Sequence, residues 1–345
     1  MRSVLVVRND RLGDWVLTLP LMEAIRASLP GVRLGAMAKE AVAPLLRRYA
    51  GVEDVIPSPG GRRRGFREAT ASVRAGRFDA AVVVHPDLVD TLAVWWAGVK
   101  VRVGNAYRGY AVFCNRRVKF HRSPSDRHEI EYNLKYLEGL GLPVPAGVPA
   151  PRLAVTAEDR AKAVALLARR GVAADGYVVV HPGSGGSSLN WSLRRYRILA
   201  AELAKASSLS VVVTGSAAER ETAAFVAGEG AGRASVAGET DLGALVGLLA
   251  GARLFVSGNT GPMHLAAAVG TPTVSFFSPL RSGSPRRWGP VGNASAVIVP
   301  GGRACDECPR ERCPDFNCME AITVEEVLAA ARRVAAARRV AAPGI

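Results

Sequence analysis

One stretch, Leu254 to Pro279, restricts the fold more than any other: LFVSGNTGPMHLAAAVGTPTVSFFSP. Two apolar runs, Leu254-Phe255-Val256 and Thr273-Val274-Ser275-Phe276-Phe277, flank an Ala- and Leu-rich segment from Met263 to Val269 that reads as buried helix. The unit is strand, loop, helix, strand. In its loop, Ser257 to Pro262, Thr260 or Asn259 suits the helix cap and Pro262 the first helical position. The free N–H groups of Gly261, Met263 and His264 would then face the strand's carboxyl end, where a helix start offers donors and partial positive charge to a phosphate. His264 is either one more donor to that anion or a histidine satisfied by local backbone.

The chain opens with the same grammar. Val4 to Val7 is an apolar strand, Arg8 to Asp14 a loop containing Gly13, and Trp15 to Leu29 a helix-like segment, the start of a doubly wound α/β domain. The loop lacks GxGxxG. It places Asp14 near the helix start beside Arg8 and Arg11, where open α/β sheets bind ligands. Such a carboxylate serves as general base, or simply caps the helix. Further units run to a strand at Ala80–Val84, and Asp126 to Leu140 reads as a helix. Two basic clusters, Arg62-Arg63-Arg64 with Arg67 and Arg116 to Arg122, are candidate contacts for an anionic acceptor or membrane, or solvated faces.

A Pro-rich stretch from Leu142 to Pro151 divides the sequence. Beyond it, the strand Tyr177–Val180 runs into His181-Pro182-Gly183-Ser184-Gly185-Gly186-Ser187-Ser188-Leu189-Asn190-Trp191, a second candidate phosphate cradle. Glycines there let backbone approach a pyrophosphate, with hydroxyls of Ser184, Ser187 or Ser188 as donors. Glu219 follows another strand end, a position suited to accepting from ribose hydroxyls, or is a surface helix charge.

The 345 residues suggest two domains. The net charge of +15 favours anionic partners, and residues 1–150 carry 23 basic and 14 acidic groups, or +9 of it. Zinc-finger, RRM and basic-helix patterns are absent and aromatics are 6%, which argues against nucleic acid. No apolar run approaches the ~18 residues of a membrane span, and the N-terminus begins a strand instead of a signal peptide, so a cytoplasmic protein is expected, peripheral at the inner membrane face.

Three blocks in order resemble glycosyltransferase family 9, the bacterial heptosyltransferases of lipopolysaccharide inner-core assembly. They are Arg8-x-x-Arg11-x-Gly13-Asp14-x-x-x-Thr18-x-Pro20, His181-Pro182-Gly183 to Trp191, and Asn259-Thr260-Gly261-Pro262-Met263-His264 through Ala268, Gly270 and Pro272. The resemblance implies the GT-B architecture, two doubly wound Rossmann-like domains facing across a cleft. Residues 1–150 would bind acceptor and 151–322 the nucleotide sugar, while 323–345 form a terminal helix packing back on the first domain. It further implies an inverting, metal-independent transfer of heptose from an ADP-sugar to a lipid-linked saccharide, with Asp14 as base. The donor would meet Ser184, Gly185, Ser187, Ser188, Asn190, Glu219, Asn259, Thr260, Gly261 and His264. Arg8, Arg11, Arg62, Arg63 and Arg64 would meet the acceptor or the diphosphate. Asn190 stands where the family commonly has Lys, and Asn259 where it has Asp; Arg194 or Arg195 could replace the missing cation. A sugar-nucleotide epimerase and a non-catalytic nucleotide-sugar binder are the alternatives.

Four cysteines, Cys305-x2-Cys308-x4-Cys313-x4-Cys318, lie within fourteen residues. They suit a structural metal, two disulfides or free thiols.

Overall fold

The computed structural model describes residues 1–48, 52–59, 63–186, 188–206, 209–301, 305–308, 313 and 317–341. The chain divides into two compact units, Met1–Ala154 and Val155–Ile345.

In the first unit β1 (Ser3–Arg8), β2 (Arg33–Ala38), β3 (Val52–Pro57), β4 (Ala80–His85), β5 (Val101–Asn105) and β6 (Arg116–Val118) form a parallel sheet ordered β3-β2-β1-β4-β5-β6. Its helices are α1 (Leu12–Val16), α2 (Leu19–Ser28), α3 (Ala43–Arg48), α4 (Arg63–Gly76), α5 (Leu88–Trp96), α6 (Glu129–Leu134) and α7 (Tyr136–Leu140). Val4 to Val7 and Ala80 to Val84 are fully buried, as central parallel strands covered on both faces must be, and this makes them legible as unbroken apolar runs.

The segment from Trp15 to Leu29, expected as one helix, is two. Pro20 has no N–H to offer the carbonyl of Val16, and the Thr18 hydroxyl bonds the carbonyl of Asp14 at 2.7 Å, so α1 ends and α2 restarts. Asp126–Leu140 is likewise α6 and α7, joined at Lys135. Helix α5 and the strands β5 and β6 were not foreseen. Two of the three residues of the short β6 are arginine, and charge on an edge strand hides a strand signal while discouraging further pairing.

The second unit repeats the plan. Strands β7 (Tyr177–His181), β8 (Ser210–Val213), β9 (Arg233–Ser235), β10 (Leu254–Gly258), β11 (Thr273–Phe276) and β12 (Ser295–Ile298) are ordered β12-β11-β10-β7-β8-β9. Its helices are α8 (Ala157–Arg169), α9 (Leu193–Ala206), α10 (Arg220–Ala227), α11 (Leu242–Gly251), α12 (Gly261–Ala268), α13 (Pro285–Trp288) and α14 (Val324–Ala341). Counted from its own first strand, this sheet has the first sheet's order, 3-2-1-4-5-6. Both therefore reverse direction between strands one and four, leaving a crevice at the carboxyl ends of β1/β4 and of β7/β10.

Val327, Ala330, Ala331 and Val334 of the terminal helix α14 are buried in the core that holds Val178, Leu199 and Phe276, so α14 is part of the second unit. Among the described residues no helix is long and apolar enough to cross a membrane.

Candidate active site

At the first crevice Arg8 ends β1 opposite His85 of β4, where the register shifts. The shift turns the Arg8 side chain inward, and it is buried. Its Nε and Nη2 donate to the two oxygens of Asp10 at 2.7 and 2.8 Å, and Nη2 also donates to Asp14 Oδ1 at 2.9 Å. Nη1 donates to Thr18 Oγ1 at 3.1 Å and to Asn133 Oδ1 at 3.2 Å. Glu129 Oε1 lies 3.4 Å from Nη2 and 3.3 Å from Arg122 Nε. A guanidinium engaged in this way positions the surrounding carboxylates.

Asp14 sits in the first turn of α1, where Arg11 occupies the cap position without a capping side-chain bond. Burial pushes its carboxyl up to about 6; Arg8 pulls it down, and the charges of Asp10 and Glu129 push the same way as burial. Three carboxylates share two guanidiniums here, so the cluster holds one negative charge in excess. Burial opposes the charge on Arg8, yet Asp10 and Asp14 outweigh it and hold the guanidinium above its ordinary value.

Helix α6 supplies the far wall. His128 caps it, accepting from Ile130 N at 3.3 Å, and Glu131 returns to His128 N at 2.7 Å. One turn apart, Glu129 and Asn133 then face Arg8, and Asn133 also donates to the carbonyl of Leu17 at 2.9 Å. Sequence reading missed Asp10, Glu129 and Asn133; the i, i+4 spacing of the last two behind a basic cluster was the available signal. His85 Nδ1 lies 3.5 Å from Asp10 Oδ2, and burial lowers its pKa. Arg11 is exposed; Arg62 and the side chains of Arg63 and Arg64 lie outside the described residues.

At the second crevice His181 of β7 is paired in register with Ser257 of β10. Its Nδ1 lies 3.0 Å from Thr214 Oγ1, and burial lowers its pKa to about 4, so the ring is neutral. Gly185 and Gly186 follow at φ +53° and +71°, left-handed conformations that favour glycine. Ser184 Oγ donates to the Ser188 carbonyl at 3.2 Å, and Ser188 Oγ to the Asn259 carbonyl at 3.0 Å. The first bond closes the loop on itself, and the second ties it to the loop that opens α12. Ser187 lies outside the described residues.

Asn190, exposed, donates to the Pro182 carbonyl at 3.1 Å. Arg195 is engaged with Glu320 Oε2 at 2.7 Å and the Ile322 carbonyl at 2.8 Å, so it does not replace a cation at Asn190. Trp191 donates to that same carbonyl from the core. Glu219 accepts from Ser216 N and Oγ, both at 2.8 Å. Burial pushes its carboxyl up, but the hydrogen bonds from Ser216 N and Oγ lower it. A β-carbon on Gly183 would stand 2.1 Å from Glu219 Oε1, so the carboxylate lies over the glycine loop.

Pro262 stands in the first turn of α12, after Thr260 at the cap. Thr260 Oγ1 is buried with no hydrogen-bond partner among the described residues, and His264 is buried. Asn259 Nδ2 approaches the Gly283 carbonyl at 3.5 Å.

Among the described residues Cys308, Cys313 and Cys318 form no disulfide. Burial and the neighbouring Cys308, Cys305 and Cys313 push the Cys318 thiol up. Among the described residues no group of three His, Cys, Asp or Glu side chains converges as metal ligands.

A sequence model described as "Glycosyltransferase family 9 (heptosyltransferase)" matches residues 66–318. A putative glycosyltransferase of Haemophilus influenzae is 28% identical over 337 residues, covering 95% of each chain. Lipopolysaccharide heptosyltransferase 2 of Escherichia coli K12 is 28% identical over 315 residues, 86% of this chain and 87% of that one. The solved E. coli ADP-heptose lps heptosyltransferase II superposes with a TM-score of 0.78 at 22% identity, covering 98% and 99%. That likeness carries the fold, two doubly wound domains of the GT-B class.

Proposed function

The chain belongs to glycosyltransferase family 9, and from that membership we propose that it moves heptose from ADP-heptose to a lipid-linked, anionic saccharide of the lipopolysaccharide inner core, with inversion and with Asp14 as general base. The observation that carries this reading is the Asp14 carboxylate: it stands at a ligand crevice with a pKa raised to about 6. A base of that strength is ionised at neutral pH yet still takes a proton readily.

Asp14 accepts the proton of the acceptor hydroxyl as that oxygen attacks the anomeric carbon. The bond from that carbon to the diphosphate oxygen breaks in the same step, and ADP departs. Charge developing on the diphosphate meets backbone N–H groups of the 183–186 loop and the start of α12, with Thr260 Oγ1 as a further donor. Glu219 accepts from ribose. Residues 1–154 thus take the acceptor and 155–345 the donor, no metal is required, and the enzyme works in the cytoplasm at the anionic membrane face. Exposed Arg11, not Arg8, meets the acceptor's phosphates. Asn190 and Asn259 adjust the donor contacts.

Incubation with ADP-, GDP- and UDP-sugars and core saccharide fragments, read by mass spectrometry and by NMR of the new anomeric centre, tests the reading. An inverted heptoside from the ADP-sugar is expected. Retained configuration rejects the single displacement, and epimerised donor without a glycoside rejects transfer.

A further inference from the structure

Among the described residues, the four most exposed large apolar side chains are Val112 at 68%, Trp96 at 60%, Tyr107 at 54% and Leu88 at 53%. All four fall between residues 88 and 112, in the first unit. On α5, Leu88, Leu92, Trp95 and Trp96 follow the i, i+4, i+7, i+8 spacing of one helix face. The buried side of the helix is carried by Thr91, Ala93 and Val94. A helix in such a domain ordinarily turns its apolar stripe inward, whereas α5 carries one on each side.

The outward stripe is extended sideways by the short 3-10 turn Gly109–Phe113. Phe113 packs against Trp95 at 5.6 Å between ring centroids, and Trp95 against Trp96 at 5.7 Å. Asn115 ties that turn to the start of β5, donating to the Lys100 carbonyl at 2.7 Å and accepting from Arg102 N at 2.8 Å. The aromatic cluster therefore lies beside Lys100 and Arg102, whose Nε donates to the Phe113 carbonyl at 2.7 Å. Arg74 of α4 reaches the same surface, donating to the Trp96 carbonyl at 3.0 Å.

Charge selects the occupant. Residues 91–125 contain seven Lys or Arg and no Asp or Glu. The acids just before them, Asp87 and Asp90, are engaged in the capping box of α5. A second copy of the chain would set this positive surface against itself. An anionic bilayer offers phosphates to the cations and an interface to the tryptophans, whose rings favour the headgroup level.

We propose that the outer face of α5, with the 109–115 turn, docks the protein on anionic phospholipid. This rests on the membrane-bound acceptor proposed above and names the surface that would meet it. The stripe begins at Leu88, directly after the His85–Asp87 loop that flanks Asp10, so an acceptor anchored in the docked bilayer is presented to the edge of the sheet that carries Asp14.

Co-sedimentation of the full chain with vesicles of three parts phosphatidylcholine to one part phosphatidylglycerol tests this, with pure phosphatidylcholine as control. Binding to the anionic vesicles only is expected. It should fall at least tenfold in Trp95→Ser/Trp96→Ser and in Arg74→Glu/Lys100→Glu, with circular dichroism unchanged. No binding, equal binding to both vesicles, or variants that bind like the parent overturn the proposal. So does a wild-type dimer in light scattering that the tryptophan variant abolishes, since the face then belongs to a second copy. Turnover of a soluble, deacylated acceptor reports on the transferase reading separately, and both variants should keep it within twofold.

Discussion

Arg8 Nη2 lies 2.9 Å from Asp14 Oδ1, and the same guanidinium holds both oxygens of Asp10. The proposed base thus shares its counter-ion with a stronger competitor, which leaves its proton affinity high while it stays fixed in place.

Replacing Asp14 by Asn should lower kcat by about 10²- to 10⁴-fold, the usual contribution of a general base, with ADP affinity unchanged by calorimetry. The folded protein should become more stable. The carboxyl is raised from 3.8 to about 6 on folding, so its ionised form disfavours the native state above that pH. Urea titration at pH 8 should show a gain of up to about 3 kcal/mol.

The pH profile follows from the same shift. Asp14 must be ionised to accept a proton, so kcat/KM should be flat above about pH 6 and fall tenfold per unit below it. Glu129→Gln removes a like charge and should move the inflection down, as initial rates between pH 5 and 8 would record.

Arg8→Met leaves Asp10, Asp14 and Glu129 crowded without their central cation. Breaking one side of a buried ion cluster costs about 3–5 kcal/mol, and chemical denaturation should show a loss of that order.

Gly183→Ala should raise the KM for donor while sparing acceptor KM. The added methyl would lie 2.1 Å from Glu219 Oε1 and must displace the carboxylate. A tenfold to hundredfold rise corresponds to one charge-assisted hydrogen bond, about 1.5–3 kcal/mol.

Asn190→Lys places a cation at the exposed rim of the same loop, where Arg195 is held by Glu320. ADP affinity should increase by a similar factor, and calorimetry at low and high salt should show the gain shrinking as charges are screened.

The central strands were readable because burial on both faces leaves nothing but apolar residues in Val4–Val7 and Val178–Val180. The crevice loops were readable because Gly and Ser mark close backbone approach. The partners of Arg8 were not, since Glu129 and Asn133 lie 121 and 125 residues away and a charge at a strand end looks alike whether it meets a ligand or a carboxylate. The acceptors of Ser184 and Ser188 were hidden for the same reason: composition names a donor but not its acceptor. The C-terminal helix escaped because an alanine-rich face fits many cores, and only coordinates assign α14 to its own unit.

The identical strand order of the two sheets has an evolutionary corollary. Every member of the Arg8–Asp14 constellation precedes Ala154, and every proposed nucleotide contact follows Val155. Either lobe can thus diverge under its own selection, and a chimaera joined at that boundary should inherit its donor preference from one parent and its proton-accepting apparatus from the other.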